Sequence, residues 1–153
     1  TPLFFDENKM RFLGLDVGRK TIGLAVGEIL ATELATLRSP KNIDFYSSDG
    51  RKLAYKEIGK VMEVEAIEAI VAGLPVNEDG LPTEESDKIR DFCSEMEKTI
   101  NAPVHFVDET LTSFMAEDML ESQGADKKEI EARVHQLAAE LILQQYLEGD
   151  EGS

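Results

Sequence analysis

Two apolar runs, Arg11–Val17 (RFLGLDV) and Thr21–Val26 (TIGLAV), are separated only by Gly18-Arg19-Lys20. Strands joined by so short a polar turn fold back on each other, so the chain opens as a hairpin. Thr32–Leu37 extends the hairpin into a meander and is closed by Ser39-Pro40. Lys41–Arg51, rich in Ser, Asp, Asn and Gly, reads as a loop. The period then changes. Ala54, Ile58, Val61 and Met62 recur at helical spacing. Ala66–Leu74 (AIEAIVAGL) is a buried-type strand stopped by Pro75, and the loop VNEDGLP follows. Thr83 opens a second helix, with Glu84, Glu85 and Asp87 complementing its positive end. Ile89, Phe92, Cys93, Met96 and Ile100 share one face of that helix, which makes Cys93 a core thiol. Asn101-Ala102-Pro103 ends it. Val104–Val107 is a further strand running into Asp108-Glu109. Phe114–Glu121 is a short helix broken at Gly124, and a last helix spans about Asp126 to Leu147.

The order is therefore β-β-β-α-β-α-β-α-α. Helix-linked strands add in parallel through right-handed crossovers, so the expected class is α/β, a mixed sheet flanked by helices. A chain of 153 residues suits one domain. Residues 1–9 read as a polar extension with Met10 as the native start, residues 10–148 as the domain and 149–153 as an acidic tail. No run approaches the roughly 18 apolar residues of a membrane span, and no signal peptide is visible. With one cysteine, the expectation is a cytoplasmic protein without a membrane partner. Charge is the unusual property: 16 Lys and Arg against 31 Asp and Glu leave −15. That counts against non-specific wrapping of nucleic acid, which depends on neutralising phosphates. A local basic strip, or carboxylates holding a divalent metal, remains compatible with it.

Three carboxylates stand where α/β sheets build sites, at the carboxyl ends of strands. Asp16 ends the first strand; Asp108 and Glu109 end the last. Asp16 either caps the turn into Gly18 or offers its carboxylate to a cation. Arg19 and Lys20, on the same turn, are phosphate contacts or solvated turn residues. Asn77 and Asp79 line a cleft or make a turn with Gly80. Thr110 and Thr112 read as helix caps. Lys127, Lys128 and Arg133 form a small basic cluster, and His105 reads as a surface residue on its strand.

Four segments, LGLDVGRKTIGLAVGE, IVAGLPVNEDG, VHFVDETLTS and VHQLAAELILQQYL, occur in this order and together resemble the YqgF/RuvX family. The resemblance runs from about Met10 to Leu147 and implies a ribonuclease H-like fold. It also implies a metal-dependent nuclease acting on structured RNA or a DNA junction, in pre-16S ribosomal RNA processing or Holliday junction resolution. Carried over by position, Asp16 matches the first-strand acid and Glu109 the acid of an Asp-Glu-Arg-Leu-Thr motif, in which Thr110 replaces the arginine. The family's third acid, an aspartate opening the last helix, is His135 here. The implied cofactor is Mg²⁺ or Mn²⁺, with Asp16, Glu109 and His135 as catalytic residues and metal ligands. Asp108, Lys20, Arg19 and Asn77 have supporting places.

A neutral imidazole can hold an ion through a ring nitrogen and suits Mn²⁺ better than Mg²⁺. The opposing readings are that His135 marks a degraded site, or that it is a helix-terminus histidine without a ligand role. The competing reading is a binding or assembly protein that keeps the fold without catalysis. An actin-like phosphotransferase shares the Asp16-Val17-Gly18 strand turn, but the chain is short for two lobes. Nothing in the sequence separates monomer from homodimer.

Overall fold

Leu13, Leu15 and Val17 leave the first strand, β1 (Phe12–Val17), on one side, while Gly14 and Asp16 leave it on the other. That alternation decides which helices each face receives. The computed structural model describes residues 10–109 and 111–149. The expectations for residues 1–9, for Thr110 and for the tail from residue 150 fall outside the described residues.

β1 pairs antiparallel with β2 (Thr21–Gly27), and β2 pairs antiparallel with β3 (Ala31–Arg38). Helix α1 (Ser48–Val64) then crosses to β4 (Ala69–Pro75), parallel to β1. Helix α2 (Glu84–Ile100) leads to β5 (Val104–Glu109), parallel to β4. The sheet order is β3-β2-β1-β4-β5, followed by α3 (Thr112–Ser122) and α4 (Lys127–Leu147). The mixed sheet and the order of elements are those expected.

Ile58 and Met62 from α1, with Ile89, Phe92, Cys93 and Met96 from α2, join Leu13, Leu15 and Val17 in the main core. Burial pushes the Cys93 thiol up to about 12, consistent with an inert core residue. The opposite face is thinner. Ala25, Val71 and Val107 meet Ala139, Ile142 and Leu143 of α4. Helix α3 packs outside α4, with Ala116 and Leu120 against Leu137 and Ala138. Among the described residues, no helix is long and apolar enough to cross a membrane.

Several boundaries differ from the sequence expectation: β4 starts at Ala69, not Ala66, and includes Pro75, and α3 starts at Thr112, not Phe114. The stretch read as a loop to Arg51 is helical from Ser48, because the Ser47 hydroxyl caps the helix by accepting from the Gly50 N–H. Thr112 does not cap α3. The N-cap is Leu111, which has no side-chain cap bond, and the Thr112 N–H donates instead to Glu109 Oε2 at 3.3 Å. Helix α2 begins as expected, with Thr83 and Ser86 forming a reciprocal capping box.

His105 is partly buried, a departure from its reading as a surface residue. It stacks on Tyr146 with ring centroids 5.4 Å apart and meets the edge of Phe12. Strand β3 lies at the sheet edge, and α4 covers that edge. The Ala31 N–H donates to Gln144 Oε1 at 2.7 Å, and the Glu33 N–H to Glu140 Oε1 at 2.9 Å.

Candidate active site

Asp16 is on the α4 face near the carboxyl end of β1, opposite Gly23 of β2. The missing side chain of Gly23 is structural: a Cβ there would lie 1.9 Å from the His135 carbonyl oxygen. The backbone of α4 therefore touches the sheet directly beside Asp16. His135 Nδ1 reaches within 3.8 Å of Asp16 Oδ2. The imidazole stands near the first-strand end, as its helical face predicts, and its side chain is 36% exposed. It does not open α4, however. The helix starts at Lys127, which puts His135 in its third turn and removes the reading of a helix-terminus histidine.

Glu109 ends β5 on the same face, since it alternates with Val107, which packs against α4. Gly73 lies between the two acids in the sheet, and a Cβ on it would be 3.1 Å from Glu109 Cγ. That open lane lets the Glu109 side chain extend over β4. Burial pushes its carboxyl above the usual range. The hydrogen bond from Thr112 works against the rise, and the charge of Asp16 adds to it. The charge of Asp16 thus reaches Glu109 across the sheet. Among the described residues, no three acidic, histidine or cysteine side chains stand close enough to form a ready cation cage.

The supporting residues divide. Asp108 is exposed and, by strand alternation, points away from the α4 face. Its carbonyl accepts from Gln145 Nε2 at 3.3 Å. Arg19 pairs with Asp44 at 2.9 Å, and Lys20 Nζ donates to the Ile43 carbonyl at 2.8 Å. Both side chains hold the loop ahead of α1. Asn77 Oδ1 accepts the N–H groups of Asp79 and Leu81, each at 2.9 Å, and so organises its own turn. His135 lines a cleft of about 930 Å³ with Arg38, Lys127, Ile130 and Val134, and Glu117, Glu121 and Glu131 give its walls an acidic side. Asp16 and Glu109 lie outside that cleft.

Glu33 of β3 escaped the sequence reading, since nothing distinguishes one acid in an alternating edge strand. It takes a two-pronged ion pair from Arg133, at 3.0 Å and 2.9 Å, and a hydrogen bond from Gln136 Nε2 at 2.9 Å. The two donors bracket His135 in sequence, so Glu33 anchors the α4 turn that carries the imidazole. Arg133 is committed to this pair and is not a free member of a basic cluster.

The Arg133 hydrogen bond holds the Glu33 carboxyl below its ordinary range. A depressed carboxyl stabilises the fold above its unfolded pKa, and that contribution fades as pH falls through the folded value. Glu33→Ala should therefore cost about 1 kcal/mol near neutral pH, since the pair is partly exposed. That corresponds to a fall of roughly 2–4 °C in Tm. The difference from wild type should shrink below about pH 4.5, the ordinary glutamate range. A gap that stayed constant down to acid pH would show that the ion pair contributes nothing.

Comparisons with known proteins identify the family and the fold. A family model described as "RuvX: Holliday junction resolvase" matches residues 10–149. Relatives named "Putative pre-16S rRNA nuclease" include one from Heliobacterium modesticaldum, 39% identical, with 91% of this chain and 89% of the relative covered. One from Lactobacillus gasseri is 34% identical, covering 91% and 96%. One from an Anaeromyxobacter species is 34% identical, covering 92% and 98%. Among solved structures, T. thermophilus RuvC in complex with a Holliday junction substrate superposes with a TM-score of 0.60 at 13% identity, covering 92% of this chain and 94% of RuvC. At that identity the likeness shows the fold, which is ribonuclease H-like.

Proposed function

Since the chain belongs to the RuvX family, we propose that it is a nuclease hydrolysing phosphodiester bonds in structured nucleic acid, with Mg²⁺ or Mn²⁺ as cofactor. Its proposed cellular target is the 5′ end of pre-16S ribosomal RNA. The observation that carries this reading is the placement of Asp16 and Glu109, from two separate strands, on one sheet face, with His135 beside Asp16.

The donor set fits a divalent ion. Glu109 is a substantially buried carboxyl pushed up by desolvation and by a neighbouring negative charge, and a bound cation relieves both. Mg²⁺ takes one or two carboxylates and completes its shell with water and phosphate oxygens. A protein site short of three close donors is therefore compatible with an ion that the substrate helps to hold. Asp16 and Glu109 would hold it, and His135 would add a nitrogen donor that suits Mn²⁺. Such an ion supplies positive charge for the attacking and leaving oxygens of an in-line displacement. The chain's own part is placement. β1 and β5 present the carboxylates from rigid strands, the Thr112 N–H orients Glu109, and Glu33 sets the turn of α4 that carries His135.

Three substrates decide the matter: a 5′-extended 16S ribosomal RNA fragment, single-stranded DNA and a four-way DNA junction, each with Mg²⁺ and with Mn²⁺. Cleavage of the RNA near the mature 5′ end is expected. Preferred cutting of the junction would favour the resolvase reading. Inactivity on all three with both ions would leave a binding or assembly protein.

His135 is tested in the same assay. His135→Asp should keep or increase Mg²⁺-dependent cleavage and reduce any Mn²⁺ preference, because a hard oxygen replaces an imidazole. His135→Ala should weaken metal affinity by about 10-fold or more with little change in Tm. Unaltered cleavage by His135→Ala would remove the ligand role and leave the family membership intact.

A further inference from the structure

We propose that α3 is the docking surface for a basic amphipathic segment of another protein. Thr112, Ala116 and Leu120 turn this helix inward, towards α4. Its large apolar side chains are left outside: Leu111 is 70% exposed, Phe114 66%, Met115 51% and Met119 37%. Leu111, Met115 and Met119 recur every four residues and form one row, with Phe114 beside it. Side chains of this kind clustered on one element mark an interaction site more often than scattered exposure does. Leu111 also adopts a left-handed backbone, φ +61°, a conformation that costs a non-glycine residue about 1–2 kcal/mol. Its side chain recovers little of that by burial in the isolated chain.

Charge selects the occupant. Helix α3 carries Glu117, Asp118 and Glu121 and no lysine or arginine. Leu111 shares a cleft of about 820 Å³ with Val76, Asn77, Glu78 and Asp79, so two further acids adjoin the apolar row. A nucleic-acid strand laid here would set its phosphates against carboxylates. A second copy would set the same acids against themselves, on chains that each carry −15. A helix with a Leu or Phe face bordered by lysines and arginines complements both the row and its rim.

Of the basic side chains nearest α3, Arg38 donates to the Glu131 carbonyl and Arg133 pairs with Glu33, while Lys127 shares the cleft beside His135 with Glu117 and Glu121. The proposal needs no catalysis and stands whether or not the nuclease reading does.

The chain lacks tryptophan, so a synthetic Leu/Lys amphipathic helix with a single Trp reports its own binding by fluorescence. The 153-residue chain should bind it with a blue-shifted emission, and added salt should weaken the complex. The double variant Phe114→Ser/Met115→Ser should bind at least about 10-fold more weakly, because exposed apolar anchors concentrate binding energy. Both side chains are exposed, so the variant should melt with the wild type. A Glu-for-Lys peptide and a scrambled peptide of equal composition should each bind at least about 10-fold more weakly than the amphipathic one. Equal binding by the double variant, or by the scrambled peptide, would overturn the proposal. An unpaired oligonucleotide released by the same two substitutions would assign the surface to nucleic acid. A wild-type dimer in sedimentation that the double variant dissolves would assign it to a second copy. Either result also overturns the proposal.

Discussion

Asp16→Asn is expected to reduce cleavage on the order of 1,000-fold, the scale of removing one electrostatic stabiliser from a preorganised site. It should do so without lowering Tm. The reason lies in the geometry. Asp16 reaches His135 at 3.8 Å, and its charge adds to the desolvation that already raises the Glu109 carboxyl. An amide keeps the shape and removes the charge, so any bound ion loses a ligand while the free protein loses a repulsion. The pH dependence has a definite sign. Since the Glu109 carboxyl is raised in the folded state, its stability term is fully present below the unfolded pKa and is lost as pH rises through the folded value. Asp16→Asn should therefore flatten the decline in Tm as pH rises across and above the ordinary glutamate range. Melting curves over that range, measured alongside cleavage of the RNA fragment, check both halves. An active Asp16→Asn protein would end the nuclease mechanism proposed above. A marked loss of Tm would mean that Asp16 is chiefly a turn cap.

Gly23→Ala is expected to be strongly destabilising. Its Cβ would lie 1.9 Å from the His135 carbonyl oxygen, 2.3 Å from the carbonyl carbon and 2.9 Å from the Gln136 nitrogen. These are backbone atoms of a helix packed across the whole sheet, so no flexible side chain can yield. Overpacking of this kind costs about 3 kcal/mol, equivalent to roughly 6–12 °C in Tm. The relief available is a shift of α4 away from the sheet, which carries His135 away from Asp16. Activity should fall further than stability does. Gly59→Ala is the internal control. Nothing lies within 4 Å of a Cβ placed there, on helix α1, and removing a helical glycine should stabilise by about 0.5–1 kcal/mol. If the two variants melted alike, the close approach of α4 to β2 would be wrong.

The sequence by itself determined the order of elements, because the signals that encode them are local. The apolar runs FLGLDV and TIGLAV, the three-residue turn between them, and the helical spacing of Ile89, Phe92, Cys93 and Met96 each act within a few residues. Asp16 and Glu109 were legible for the same reason, as acids ending apolar strands. Boundaries set by caps were less so. A stretch of Ser, Asp and Gly ahead of α1 looks like a loop until Ser47 is seen holding the Gly50 N–H.

Tertiary structure alone decided the rest. Which face Glu109 shares with Asp16 depends on the parallel register of β1, β4 and β5, which no local pattern carries. His135 became a neighbour of Asp16 through the missing side chain of Gly23, a residue more than a hundred positions away in sequence. Glu33 became the anchor of that helical turn only when α4 lay across the sheet edge, and Arg19, Lys20 and Arg133 found carboxylate or carbonyl partners that composition could not name. Local propensity acts over a few residues, whereas an ion pair or a close approach is a property of two surfaces meeting. The elements could therefore be read along the chain, and the site only across it.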